Sequence, residues 1–309
     1  MLMNQDVDEI EWIPKELALK LKGLGLNTLL DIMVLPTDAL KESEQDRQGV
    51  IRIIRKAIML LNNSSKGSEA FQRAIDRKKI DLGSKSMNEL LNGGVITGLV
   101  TDFFGASNTG KTQICFQLCV NAQRLNEESS VVFVDSSGTF RPERIMEISK
   151  GIKLKDDVLK RIMVVRARSV SEQIKVPRRL KDAPFNVKLL IMDTLTDNFV
   201  FEYQGGERII ERQAKLAKHL HDLCSLAVRD DIAVVVTNTV RARVDAEQSY
   251  YEVETGGNVV SQGVHVRVHL SRDPYGLNAM LVQPSIVKPK AYFAMDSKGI
   301  IDNGRYKKR

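Results

Sequence analysis

The sequence predicts an α/β domain with a mainly parallel sheet, preceded by a small all-helical domain. Three observations carry this. Short apolar runs at 99–104, 130–134, 162–165, 188–192 and 232–237 alternate with stretches of helical pattern, as in strands joined by helical crossovers. A glycine-bounded run at 105–110 sits between the first strand and a helical stretch. Residues 10–62 carry apolar side chains at helical spacing and contain no such strand-like runs.

In chain order, Pro14 opens a helix over 14–22 with Leu17, Leu19 and Leu21, and Gly23 and Gly25 break it. A second helix covers 27–34 and stops at Pro36; Thr37 then suits the N-cap of a turn at 38–41. Residues 49–61 form another, with Val50, Ile53, Ile54, Ala57, Ile58 and Leu61 at helical spacing. The polar stretch 62–67 (NNSSKG) reads as a linker. The expected organisation is a helical domain at 1–62, a linker and possible interface segment at 63–79, and the α/β core at 80–309. Residues 264–270 alternate strictly, as do stretches after Ala279, which predicts antiparallel edge strands. On such a strand His265, Arg267 and His269 form an exposed polar face, the two histidines about 13 Å apart and too distant to share a metal.

Composition narrows the class. In 309 residues, 43% hydrophobic and 28% charged content supports a sizeable core and excludes a disordered, collagen-like or disulfide-stapled chain. Three cysteines make no disulfide framework and no CxxC zinc pair, which fits a reducing compartment and a cytoplasmic, possible nucleoid-associated, location. Cys115 and Cys119, four apart on a helix, suit packing. No run of ~18 apolar residues is present, and the acidic first dozen residues have the wrong sign for a leader. The net charge of +7 suits a polyanionic partner or an ordinary basic protein.

The chemistry begins at Gly105-Ala106-Ser107-Asn108-Thr109-Gly110-Lys111-Thr112, a full GxxxxGK[ST] match in the strand–loop–helix context it requires. Loop N–H groups and the helix N-terminus face phosphates, Lys111 reaches the β- and γ-phosphates, and the Thr112 hydroxyl ligates Mg²⁺. Downstream, an apolar strand at 189–192 ends in Asp193, placed to hold Mg²⁺ through water or simply to start a turn. ATP and Mg²⁺ are the cofactors expected.

The segments 81–94, 105–113 and 135–144 (DSSGTFRPER), with Glu211-Arg212-Gln213, 232–238, Gly256-Gly257 and 291–293, resemble the archaeal RadA and eukaryotic recombinase branch of the RecA superfamily. The resemblance covers about residues 80–300. It implies a RecA-like core, ATP held between adjacent protomers with Gln113 and Arg144 among its contacts, a filament on single-stranded DNA, and strand exchange. The helical N-terminal domain stands where that family keeps a helix-hairpin-helix, although only 22–25 offers a GxG turn.

Departures from the family pattern shape the expectation. Its general base, a Glu, is Ser137 here; Asp135 and Glu143 are the nearby carboxylates that could substitute. A hydroxyl cannot accept a proton at neutral pH as a carboxylate does, so slow hydrolysis is expected. The γ-phosphate-sensing Gln is Thr239, and the following His is Gln262, which can still donate to phosphate. The cap Asp is Val282, two before Pro284, with Lys288 and Lys290 either reaching a phosphate or solvated. Family arginines of the first DNA loop are Val200 and Gly206, with Arg208 retained nearby.

The second loop, 239–255, carries Arg241, Arg243, Tyr250 and Tyr251, a set for phosphate contact and base stacking, diluted by Glu247, Glu252 and Glu254. A mobile solvated loop is the other reading. The basic stretch 161–181 and the tail 305–309 suit non-specific DNA contact or a solvated face. Phe71 and Ala74 match the FxxA element by which family protomers add a strand to a neighbour, or lie on an amphipathic helix. The expectation is a recombination and DNA-repair paralogue with weak ATPase activity and single-stranded DNA, a second copy or a recombinase filament protein as partners. The alternatives are an active strand-exchange ATPase and a RecA-fold regulator acting through protein partners.

Overall fold

The computed structural model describes residues 5–34, 44–61, 67–126, 128–154, 158–180, 186–244 and 250–304. The expected N-cap at Thr37, most of the linker, the middle of the second loop and the basic tail lie outside them. The chain divides into two compact units, 1–76 and 77–309.

Among its described residues the first unit holds four α-helices: α1 (Lys15–Gly23), α2 (Leu29–Val34), α3 (Glu44–Leu61) and α4 (Gly67–Asp76). Val50, Ile53 and Ala57 share one face of α3 and bury with Ala18, Leu21, Leu29 and Ile32. Asp31 secures the start of α2, accepting from the N–H of Asn27 at 3.0 Å and of Thr28 at 2.8 Å. Phe71 is 67% exposed on α4, and Ala74 is also exposed. The FxxA segment is therefore helical here, not an extended strand ready to add to a sheet.

The second unit opens with a small antiparallel pair, β1 (Lys79–Ile80) and β2 (Val95–Ile96), around α5 (Lys85–Leu90). The main elements follow: β3 (Val100–Gly105), α6 (Lys111–Asn121), β4 (Ser130–Asp135), α7 (Pro142–Gly151), β5 (Ile162–Arg166), α8 (Val170–Arg179) and β6 (Val187–Asp193). Next come α9 (Asp197–Glu202), α10 (Ile209–Asp230), β7 (Ala233–Val244), β8 (Tyr250–Glu254), α11 (Asn258–Gly263), β9 (Val266–Asp273), β10 (Gly276–Gln283), β11 (Lys290–Asp296) and β12 (Gly299–Asp302). The sheet order is β12-β11-β10-β9-β3-β7-β6-β4-β5, with β8 paired to the far part of β7. Strands from β9 to β5 pair in parallel, and β9 to β12 form an antiparallel extension.

Both faces of β3, β4 and β6, and of β7 over 233–238, are buried, which is why they read as continuous apolar runs; in the edge strand β5 only Ile162 is buried. Phe103, Phe133, Leu189, Ile191 and Val235 enter one core with Ile114, Phe116 and Ile148 of α6 and α7. Their alternates Val132, Val134, Leu190, Met192, Val234 and Val236 enter the other with Leu216, Leu220, Leu223 and Leu226 of α10. The period of two along each strand sorts the side chains between the layers. Cys115 and Cys119 are buried in the first core as packing residues, and burial pushes both thiols up.

One expectation is overturned. The alternating strand at 264–270 is not an edge: β9 lies between β3 and β10, and the edges are β12 and β5. Its polar face is covered. The side chains of Arg267 and His269 are 13% and 21% exposed, and His265 Nδ1 accepts from the Val100 N–H at 2.9 Å. Strict alternation reports two different faces, not which of them meets water.

His219 of α10 is fully buried, stacked on Phe199 with ring centroids 5.8 Å apart, and burial pushes it down from 6.5 to about 4. The unfolded chain therefore binds a proton that the folded one refuses between those values. Stability is full above pH 6.5 and falls as pH drops toward 4, by about 3 kcal/mol from this residue. Urea unfolding of His219→Phe across pH 4–7 is expected to lack that part of the fall.

Candidate nucleotide site and nucleic-acid interface

β3 runs into the glycine loop, and its last residue lies against β9: a Cβ on Gly105 would stand 2.1 Å from the Leu270 carbonyl oxygen. At the other end Gly110, with φ +99, caps α6 in a backbone conformation that favours glycine. Between them Thr109 Oγ1 donates to the Ala106 carbonyl at 2.8 Å, while Ser107 and Asn108 are exposed. The Lys111 ammonium is folded onto the loop, donating to the carbonyls of Gly105 at 2.8 Å and Ala106 at 2.7 Å. Burial lowers its pKa, and Asp193 and Asp197 oppose that shift.

Thr112 Oγ1 donates to Asp193 Oδ2 at 2.7 Å, so the two expected Mg²⁺ residues meet although 81 positions apart. Thr139 Oγ1 also reaches Asp193 Oδ2 at 3.3 Å, and the Thr237 hydroxyl donates to Oδ1. Burial raises the Asp193 carboxyl and these three hydroxyls counter it. A hydroxyl and a carboxylate side by side at the mouth of a loop of N–H groups suit a hard cation shared with phosphate oxygens. The residues present thus fit ATP with Mg²⁺. Arg144 of α7 donates from Nε to Gln113 Oε1 at 2.8 Å and from Nη2 to the Asp296 carbonyl at 2.5 Å, which ties α6 to α7 and β11.

Of the carboxylates considered as substitutes at position 137, Asp135 is excluded by its bonding. Its Oδ1 accepts from the N–H groups of Ser137, Gly138 and Thr139 at 3.2, 2.7 and 3.1 Å. Its Oδ2 accepts from Phe140 N–H at 3.1 Å and pairs with Arg166 at 3.2 Å. Asp135 builds the turn that carries Ser137. Glu143 is exposed in the first turn of α7. The carboxylate that meets Ser137 is one the sequence reading missed: Ser137 Oγ donates to Asp197 Oδ2 at 3.3 Å. No local pattern joins residues 60 apart; an acid shortly after the strand that ends in Asp193 was the only available signal.

The second loop is a β-ribbon over its described residues, not a mobile coil. β7 continues to Val244 and pairs antiparallel with β8, placing Arg241 opposite Val253 and Arg243 opposite Tyr251. Opposite residues share a face, so Arg241 and Val253 fall on one side of the ribbon. Glu252, which is exposed, and Glu254, which is buried, fall on the other. Both have partners on β9. Glu254 pairs with Arg267 and accepts from Asn238 Nδ2 at 2.7 Å; Glu252 lies 3.3 Å from His269 Nε2. They therefore do not dilute the face that carries Arg241, which is exposed. Thr239 Oγ1 stands 3.3 Å from Thr255 Oγ1 across the ribbon base.

Elsewhere Arg208 is half exposed, lies 4.6 Å over the Tyr203 ring and donates to the Glu202 carbonyl at 2.8 Å. Gln262 is exposed on α11. Lys290 pairs with Asp273 at 2.9 Å within its own chain, leaving Lys288 as the exposed cap lysine. In the basic stretch Arg166 pairs with Asp135, and Arg178 with Asp222 at 3.3 Å. Among the described residues no helix is long and apolar enough to cross a membrane.

A phosphate loop at the end of a central parallel strand, with a hydroxyl and an aspartate converging beyond it, defines a RecA-like P-loop core. The family model described as Rad51 matches residues 75–303, and the chain belongs to that family of RecA-type recombination and repair ATPases. Members of the family bind ATP with Mg²⁺, bind DNA, and form oligomers or filaments.

Proposed function

We propose that this chain is a RadA-like recombination and DNA-repair paralogue. In this reading it binds ATP with Mg²⁺ and DNA, hydrolyses ATP slowly, and modulates homologous recombination. The observation that supports it is an intact phosphate loop with the Thr112–Asp193 pair in place and bonded through Thr139 to the turn that carries Ser137, which this reading takes as the family's base position. Gly105 to Gln113 would bind the phosphates, with Thr112 and Asp193 holding Mg²⁺, which supplies charge neutralisation on the β- and γ-oxygens. Arg144 and Gln262 complete the nucleotide contacts.

DNA contact falls to Arg241, Arg243, Tyr250 and Tyr251, with Arg208 just before α10; the exposure of Arg241 on the ribbon supports it. Residues 1–62 serve as a helical accessory domain. The 63–79 segment, through Phe71 and Ala74, offers a contact to a second copy or a recombinase filament protein; the exposure of Phe71 supports this. In this reading the protein is cytoplasmic, with nucleoid association following if it binds DNA.

The test is ATP turnover with Mg²⁺, with and without single-stranded DNA, against Lys111→Ala as the blank. ATP binding with turnover close to the blank is expected. Steady DNA-stimulated turnover would instead make the chain an active strand-exchange ATPase, a reading that the carboxylate of Asp197 beside Ser137 favours. Single-stranded DNA binding is expected to weaken with salt. In the Arg241→Ala/Arg243→Ala variant the slope of log affinity against log salt should fall by about 1.4, two phosphate contacts at ~0.7 each. An unchanged slope would remove the ribbon from the interface. ATP binding without salt-sensitive DNA binding would point to action through protein partners.

A further inference from the structure

We propose that the slow hydrolysis runs through a Ser137–Asp197 relay, in which Asp197 takes the place of the carboxylate that position 137 lacks. This rests on the reading of the chain as an ATP-binding member of its family. Two strand ends bring the pair together. β4 ends in the turn that Asp135 holds with four backbone N–H groups, and β6 ends at Asp193 with α9 starting at Asp197. The ends are stitched side by side. Ser136 Oγ donates to the Thr194 carbonyl at 3.1 Å and accepts from the Thr194 N–H at 2.7 Å. Thr139 Oγ1 reaches Asp193 at 3.3 Å. Held between these bonds, Ser137 Oγ donates to Asp197 Oδ2 at 3.3 Å. Asp197 is also one of the charges that oppose the lowering of the Lys111 ammonium pKa by burial.

The hydroxyl that donates to a carboxylate turns its own lone pairs outward and is polarised as an acceptor. The balance of the step follows. A water proton passes to Ser137 Oγ as the Ser137 proton passes to Asp197 Oδ2. The water oxygen bonds to the γ-phosphorus, the bond from γ-phosphorus to the bridging oxygen breaks, and ADP leaves with that electron pair. Asp197 reaches the water only through Ser137, so it is a positioning residue that also holds the proton. A relay through a 3.3 Å contact is less effective than a carboxylate on the water itself, which agrees with slow rather than absent turnover.

The experiment compares single-turnover ATP hydrolysis and ATP affinity for the full chain, Asp197→Asn, Ser137→Ala, their double variant and Lys111→Ala. Asp197→Asn is expected to lower the residual rate about 10²-fold, toward the blank, with ATP affinity within about threefold of wild type. Ser137→Ala should do the same, and the double variant should lose no more than either single change. A merely structural role for Asp197 is separated by Ser137→Glu/Asp197→Asn: a base restored at 137 no longer needs residue 197, so its rate should be no lower than that of Ser137→Glu. Wild-type turnover in Asp197→Asn with intact ATP binding overturns the relay. So does a wild type that binds ATP but turns over no faster than the blank, which leaves the family reading standing. A wild type that binds no ATP removes that reading, and the relay with it.

Discussion

Ser137→Glu is expected to raise ATP turnover by about 10²–10⁴-fold, with nucleotide affinity little changed, because a positioned carboxylate base contributes that range. The phosphate loop and the Thr112–Asp193 pair, proposed to bind the nucleotide, do not include residue 137. The gain has a physical brake, since the new carboxylate arrives beside Asp197, whose oxygen stands 3.3 Å from the present hydroxyl. Two carboxylates at that separation resist ionising together, and one is driven toward its neutral form. The gain should therefore be larger in Ser137→Glu/Asp197→Asn than in Ser137→Glu alone. Turnover measured against Lys111→Ala decides it. Equal rates for wild type and both glutamate variants would show that proton transfer at this position does not limit hydrolysis.

The largest stability effect is expected at Arg267. Its guanidinium lies between two buried carboxylates, paired with Glu254 and 3.9 Å from Asp102, and stacks 4.8 Å over the Phe104 ring just before the phosphate loop. Arg267→Ala leaves both acids in the sheet without their cation, a loss of about 3–5 kcal/mol for the ATPase unit in urea unfolding. Asp102→Val should behave in the opposite way. Asp102 is fully buried beside Glu254, and its removal leaves Arg267 paired with Glu254.

Burial, then the neighbouring Glu254, holds the Asp102 carboxyl well above its ordinary 3.8. The folded chain keeps that proton to higher pH than the unfolded chain. This group's contribution to stability therefore declines as pH rises from about 4. Asp102→Val is expected to be neutral or stabilising at pH 7 and to lose that decline. A variant less stable than wild type at pH 7 would show that the acid contributes to the network it faces.

The same cluster fixes the ribbon. Glu254 and Glu252 reach from β8 to Arg267 and His269 on β9, and His269 stacks on Phe104 with centroids 5.0 Å apart. The acids on one side of the ribbon are thereby held by the sheet. Weakening the clasp at Arg267 should loosen the ribbon as well as the core.

What the sequence determined by itself is whatever a short stretch encodes. The loop at 105–112 follows from glycines at fixed spacing with lysine and threonine behind them. The strand ending in Asp193 follows from an apolar run with an acid at its end. Five parallel strands follow from apolar runs, four of them buried on both faces, and helix α3 from its apolar spacing. Only the tertiary structure decided the rest. It placed Asp197 against Ser137 across 60 residues and used Asp135 as a turn former. It buried the polar face of β9 by inserting that strand between β3 and β10, and paired the described part of the arginine loop as a ribbon whose Glu254 reaches Arg267. The reason is physical. Periodicity and turn chemistry act over a few residues and state which faces differ. Which face is covered, and which carboxylate meets which hydroxyl, depends on strand order, and strand order is set by contacts between segments distant in the chain.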